Sequence, residues 1–323
     1  VPLHDLRRRK ADDADAERQA LAVIIGDLAA DQAIGGQQRV ICLRVGAQPP
    51  CDIGRDHGKL RPREGLHQRL KPIVEFVIAD AAAVTAAAVA AEEAAAVDAL
   101  IDQRIQTRKP AAYLTHEAWL QGVPFYVDER AIVPRSFIAE LLADGSIDDF
   151  LGEHTRRVLD LCTGNGSLAI LAAMAYPEVE VTGADISADA LAVARINVDK
   201  HGLAQRVQLQ ISDGMESLPG PWDLILCNPP YVNAQSMSNL PAEYRAEPEL
   251  ALAGGTDGMD FIRKLLRDAP ARMSEHAVLV LEIGNEREFF EAAFPTLPVF
   301  WIETSAGEDQ VLLVTRQALL GQG

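Results

Sequence analysis

An α/β fold built on a mostly parallel sheet is what this sequence predicts, and three observations predict it. After Arg156, short β-rich runs alternate with helix-forming runs, and serial βα units place parallel strands in one sheet with helices on both faces. Gly164-Asn165-Gly166 falls where the first strand feeds the first helix, a sharp turn that glycine makes with little strain. The last two β-rich runs are joined by the short turn Ser305–Asp309, which supplies one antiparallel edge hairpin.

The elements follow in chain order. Strands are expected at Val158–Cys162, Val179–Ile186, Val207–Ser212, Trp222–Cys227, Ala277–Ile283, Val299–Thr304 and Gln310–Thr315, a seven-stranded sheet rich in β-branched and aliphatic residues. Helices are expected at Ser167–Tyr176, Ala188–His201, Met259–Met273 and Glu286–Phe294. Upstream, Tyr113–Pro134 alternates apolar and polar residues around Gly122-Val123-Pro124, the pattern of a β-hairpin. Residues 98–135 read as a connecting helix and that hairpin, and residues 136–323 as the main domain.

Residues 1–97 have another texture. The stretch from Gln48 to Gly58 is turn and breaker chemistry without apolar period, and between Ala79 and Ala96 alanines predominate. Helix is expected at Ala14–Ala30 and Ala79–Ile105, with the rest irregular. The chain opens on Val1 rather than Met, so a misplaced start, or upstream sequence that is not native coding, is an expectation for the first 90 or so residues.

The 323 residues are 48% hydrophobic and 24% charged, ordinary values for a globular protein with a sizeable core. The net charge of −17 is uneven: residues 1–97 are nearly neutral, and residues 98–323 carry almost all of it. So acidic a body repels a phosphate backbone and attracts basic partners, and direct nucleic-acid binding is not expected. The four cysteines lack CxxC spacing, which fits a reducing cytoplasm. Cys162 and Cys227 read as reduced core thiols. No membrane span or signal peptide is expected, and the scattered histidines hold no metal-ligand spacing.

Candidate binding residues cluster at strand ends. Asp160, Cys162, Thr163, Gly164, Asn165 and Gly166 form the first strand–helix turn, and Asp185 and Ile186 end the second strand. A carboxylate at Asp185 is placed to accept hydrogen bonds from ribose hydroxyls. Asp213 could accept from an adenine amino group, with Gly214 and Met215 passing over the ring. Gly164–Ala169 also fits a G-x-G-x-x-A dinucleotide pattern, so NAD and S-adenosylmethionine both stay open here. Asp160 leans toward the latter, whose ammonium and sulfonium gain from carboxylates.

Asn228-Pro229-Pro230-Tyr231 follows the fourth strand directly. Proline has no N–H and a fixed φ, so this segment presents carbonyls in a rigid row. The Asn228 side-chain oxygen and the Pro229 carbonyl are placed to accept both N–H bonds of one planar –NH2 group, with Tyr231 stacked behind. Such a clamp suits alkylation of a poor nitrogen nucleophile: it aims the lone pair and stabilises the positive charge that develops. Candidate catalytic residues are therefore Asn228, Pro229, Pro230 and Tyr231.

Asp160–Gly166, Asp185 and Asn228–Tyr231 together resemble the HemK/PrmB family, Rossmann-like class I methyltransferases of the glutamine N(5) type. Leu240–Leu252, Gly255-Thr256-Asp257-Gly258, Pro110–Thr115 and Pro124–Arg130 are similar to its PrmB branch. The resemblance spans about residues 98–320. It implies an S-adenosylmethionine-dependent protein-(glutamine-N5) methyltransferase whose clamp holds a glutamine side-chain amide. Large-subunit ribosomal protein three is the substrate it implies, peptide chain release factors are the alternative, and N(6)-adenine methylation is the more distant one. It also implies a helical N-terminal domain, which residues 1–97 do not resemble. His116 stands where that family usually has glycine, and Leu120 where an aromatic is common.

Overall fold

The computed structural model describes residues 91–241 and 243–321, with side chains from 95 onward. The helix expected at Ala14–Ala30, the first part of that expected at Ala79–Ile105, and the irregular stretch between lie outside the described residues. Helix α1 (Ala91–Thr107) follows from its alanine-rich sequence and carries Arg104 in its last turn. Through Gln106 it belongs to one compact unit, and the chain from Thr107 onward to another.

The second unit opens with a helical turn, α2 (Ala111–Thr115), ended by His116 in the left-handed conformation at φ 55°. The position where the family usually carries glycine is thus one that favours glycine. Strands β1 (Ala118–Leu120) and β2 (Val123–Phe125) then pair antiparallel across Gln121-Gly122. Both turn residues have positive φ, the two-residue hairpin geometry that matches strand twist. The hairpin is shorter than the alternating pattern over Tyr113–Pro134 suggests, because Tyr113 is drawn into α2, where its buried hydroxyl donates to the Ala131 carbonyl at 2.7 Å.

After α3 (Ile138–Asp144) the βα series begins. It runs β3 (Arg157–Leu161), α4 (Ser167–Ala175), β4 (Glu180–Asp185), α5 (Ala188–Lys200), β5 (Val207–Ile211) and β6 (Trp222–Cys227). A short α6 (Ala234–Ser238), α7 (Asp260–Asp268), β7 (Met273–Glu282) and α8 (Arg287–Ala293) follow. Strands β8 (Phe300–Thr304) and β9 (Gly307–Thr315), then α9 (Arg316–Leu320), complete the described chain. Helix α7 stops short of the expected Met273: Pro270 leaves a backbone acceptor without its N–H, and Ala269–Ala271 tightens into a 3-10 turn.

The seven strands order as β5-β4-β3-β6-β7-β9-β8. Strands β3 to β7 run parallel, and β9 is antiparallel to both β7 and β8. Side chains alternate between the faces with period two: Val278 and Val280 join one apolar core, Leu279 and Leu281 the other. The chain reverses direction across the sheet between β3 and β6, and a crevice opens at the carboxyl ends of strands at such a switch point.

Candidate active site

The glycine loop turns off the end of β3 in a run of left-handed residues: Cys162 at φ 61°, Gly164 at 55° and Gly166 at 82°. A β-carbon on Gly166 would come 3.1 Å from that of Ala194, so glycine lets α4 and α5 approach. The loop's polar atoms are mostly turned inward. Asp160 is fully buried on the face that α4 covers, and its Oδ2 accepts from the Thr163 hydroxyl and, at 2.9 Å, from the Ala169 N–H. The Gly166 N–H donates to the Thr163 carbonyl at 2.8 Å, and the Ser167 N–H to Asn165 Oδ1 at 3.2 Å. Asp185 takes the Gly164 N–H and the Ser187 N–H, both at 2.9 Å.

This inward wiring separates the two ligands that the glycine pattern leaves open. A dinucleotide needs free N–H groups at the helix N-terminus for its pyrophosphate. Here the N–H groups of Gly164, Gly166, Ser167 and Ala169 are already spent on acceptors of the loop and of the two strand ends beside it. A nucleoside with a cationic tail fits better.

The structure divides the proposed binding residues into two groups. Cys162, Gly164, Asp185, Asp213 and Asn228 are half-buried or exposed at the strand ends, and Ile186 is 47% exposed. Asp160, Thr163 and Asn165 lie buried beneath the loop and brace it, since each side chain bonds to the turn's own backbone or hydroxyl groups. Gly166 is buried against α5. Met215 is 1% exposed and packs with Leu218 under α7, so its side chain belongs to the core and not over a ring. Gly214 takes φ 54°, and the neighbouring Asp213 is engaged by Lys264 Nζ at 2.9 Å. Cys162 and Cys227 are free thiols; their mutual hydrogen bond and burial push the Cys162 thiol well up, which keeps it protonated and unreactive.

Burial pushes the Asp160 carboxyl up from 3.8 to about 7. Between those values the folded chain keeps a proton that the unfolded chain has released, so stability falls as pH rises through that window. Among the described residues Asp160 Oδ1 has no partner, while Oδ2 takes both donors, an arrangement an asparagine side chain can copy. Asp160→Asn is expected to make the loss of stability between pH values of about 4 and 7 shallower, leaving the share that comes from the similarly raised Glu282. Urea unfolding across that range checks it, and parallel profiles for the two proteins would contradict it.

The clamp sits across the switch point. Cys227 pairs with Leu161 on one side and Leu281 on the other, so Asn228 leaves the sheet from a strand held on both flanks. Among the described residues no hydrogen bond engages the Asn228 side chain or the Pro229 carbonyl. Past the clamp, Val232 bonds to Leu252 and Gly254, each at 2.9 Å. Asn233 caps α6 at the Ser236 N–H and donates to Glu286 at 2.8 and 3.0 Å. Gly284, at φ 54°, lies against the Tyr231 ring, where a β-carbon would fall 2.5 Å from Cε2.

Two supporting residues, Asn197 and Glu247, escape sequence reading, whereas Glu282 stands where the end of the fifth expected strand puts it, near the pocket. Asn197, fully buried on α5, bonds to both backbone atoms of Tyr126 (2.7 and 2.9 Å) and to the Asn165 carbonyl (2.9 Å), fastening the post-hairpin chain to the glycine loop. Glu247 receives Arg135 through two bonds of 2.7 and 3.0 Å, so Arg135 is an ion-pair residue. Glu282 meets Ser136, Phe137 and Tyr231. A polar residue on the otherwise apolar face of Ala190, Val193, Ala194 and Val198 is a signal that could have found Asn197; nothing local marks Glu247.

The strand order, the inward-wired glycine loop and the unsatisfied Asn-Pro-Pro-Tyr acceptors are those of a Rossmann-like class I methyltransferase. A family model for the methyltransferase small domain matches residues 141–244. A ribosomal protein uL3 glutamine methyltransferase of Bordetella pertussis is 55% identical over 224 residues, covering 68% of this chain and 74% of that protein. Those of Neisseria gonorrhoeae and Bradyrhizobium diazoefficiens are each 50% identical, covering 69% and 67% of this chain and 75% and 70% of their own. Among solved structures, the hMettl16 catalytic domain in complex with a MAT2A 3′UTR hairpin aligns with a TM-score of 0.48 at 13% identity, over 66% of this chain and 80% of that one. The chain belongs to the ribosomal protein uL3 glutamine methyltransferase family.

Proposed function

We propose that this chain transfers a methyl group from S-adenosylmethionine to the side-chain amide nitrogen of a glutamine in ribosomal protein uL3. The observation that carries this reading is the pair of unengaged acceptors at Asn228 and Pro229, beside the nucleoside crevice, in a chain whose relatives bear that substrate in their names. S-adenosylmethionine, when bound, supplies an activated methyl on a cationic sulfonium. Asp185 and Ile186 hold its adenosine by ribose hydroxyls and base, with Cys162, Gly164, Asp213 and Gly214 around them. Asp160, Thr163, Asn165 and Gly166 keep the loop in shape.

At the clamp, Asn228 and Pro229 accept the two amide N–H bonds, which turns the nitrogen lone pair toward the methyl and stabilises the charge that develops there. Pro230 keeps the row rigid and Tyr231 backs the amide plane. The amide proton leaves to water after transfer. Residues 136–323 form the methyltransferase domain, and residues 98–135 the helix and hairpin that lead into it. The strongly acidic catalytic part favours a basic ribosomal protein and disfavours nucleic acid. The setting is cytoplasmic; among the described residues no helix is long and apolar enough to cross a membrane, and no group of His, Cys, Asp or Glu is arranged to hold a metal.

The test incubates the full chain with labelled S-adenosylmethionine and either ribosomal protein uL3, a release factor or an oligonucleotide, then maps the label by mass spectrometry. Label on one glutamine of uL3 is the expected result. Label on the release factor or on adenine alone would overturn the substrate assignment.

A further inference from the structure

Glu282 ends β7 beside the clamp, is 2% exposed, and among the described residues has no cation to pair with. Its two oxygens are used differently. Oε2 accepts from the Ser136 hydroxyl at 2.5 Å and from the Phe137 N–H at 2.9 Å. Oε1 faces the Tyr231 hydroxyl at 3.5 Å, a long contact of the kind that tightens when substrate arrives. Ser136 belongs to a segment that also touches the cofactor side, since Ile132 lies over Gly164, with its Cγ2 3.6 Å from where a β-carbon would stand. One buried carboxylate therefore meets both the residue behind the substrate amide and the segment that runs to the glycine loop.

Resting on the glutamine reading above, we propose that Glu282 is a positioning residue for methyl transfer: by accepting the Tyr231 hydroxyl and the Ser136–Phe137 turn together, it holds the clamp in register with the cofactor crevice. A carboxylate buried without a cation costs stability, and burial does push this group up from 4.5 to about 7. An apolar strand end would fold more easily. What the carboxylate adds is three donors converging on two oxygens, and hence a fixed Tyr231.

The test is a double-mutant cycle between Glu282→Gln and Tyr231→Phe in the full chain, with uL3 as substrate. Glutamine keeps the volume but turns one acceptor into a donor, so its oxygen serves Ser136 and Phe137 while an N–H meets Tyr231. Each single variant is expected to lower kcat about tenfold, as small misplacements of reacting groups do. KM for uL3 and the Kd for S-adenosylhomocysteine should stay within about twofold, and the double variant should lose no more than the worse single. Additive losses, or parallel losses in kcat and cofactor affinity, would overturn the proposal and leave Glu282 a fold residue only. If Glu282→Gln fails to fold, Tyr231→Phe reads the same contact from its other end, and wild-type kcat there overturns it equally.

A second readout does not need turnover. With 3-fluorotyrosine in place of the five tyrosines, the Tyr231 fluorine resonance, assigned by its loss in Tyr231→Phe, should move in Glu282→Gln. An unmoved resonance refutes the contact. If the wild-type chain labels no glutamine at all, the glutamine reading fails, and this resonance still decides whether Glu282 holds Tyr231.

Discussion

Replacing Asn228 by alanine is expected to lower kcat by roughly 10²–10³, the loss that follows removal of one preorganised contact to developing charge. The size follows from where the residue sits. Cys227 is hydrogen-bonded between β3 and β7, so the Asn228 backbone cannot drift to compensate. Its side chain has no partner among the described residues, so deleting it breaks nothing inside the protein and fold stability should change little. What is lost is the acceptor for one amide N–H, and with it the aim of a delocalised lone pair. Cofactor affinity, measured as the Kd of S-adenosylhomocysteine by calorimetry, should fall much less than kcat. If both fall equally, Asn228 is a cofactor contact and the clamp does not act as described.

The second large effect is expected at Gly284. A β-carbon there would lie 2.5 Å from Tyr231 Cε2 and 3.0 Å from Cζ, where ordinary carbon contacts are about 3.5–4.0 Å. The backbone cannot retreat easily, because Ile283 is tied to Gln310 at 2.9 Å and Gly284 itself takes φ 54°. Gly284→Ala must therefore push the ring by about 1 Å, a displacement that costs on the order of 10²-fold when it moves a group backing the reacting atoms. The left-handed backbone with an added methyl and the overpacked ring should also destabilise the fold by about 1–3 kcal/mol. Steady-state kinetics and urea unfolding of the variant measure both, and kcat within twofold of wild type would show that Tyr231 need not stand where it does.

The parts of the molecule that were legible in its sequence are those that local chemistry dictates. Alternating runs after Arg156 mark the βα series, glycines mark the first turn, and Asn228–Tyr231 carries its own chemical signature. Three kinds of detail were not legible. The depth of a side chain depends on which way the chain leaves a strand, and so Met215 and Asn165 read as ligand contacts although they pack inward. Hairpin length depends on Tyr113 finding a distant carbonyl. Long-range pairs such as Arg135–Glu247 join residues whose own surroundings in sequence say nothing of each other. The ambiguity between dinucleotide and S-adenosylmethionine lay in the same class: the glycine spacing allows both, and only the direction of the loop's N–H groups distinguishes them.

The braces of the cleft also bear on how the chain is made. Arg135 and Glu247 are 112 residues apart, and Ser136 and Glu282 are 146 apart. Closures this long form after the intervening strands are in place, because their entropic cost comes before their reward. A nascent chain still tethered to the translation machinery can thus finish its glycine turn while the partners of the clamp are yet to be synthesised. Competence therefore waits for β7, which carries Glu282.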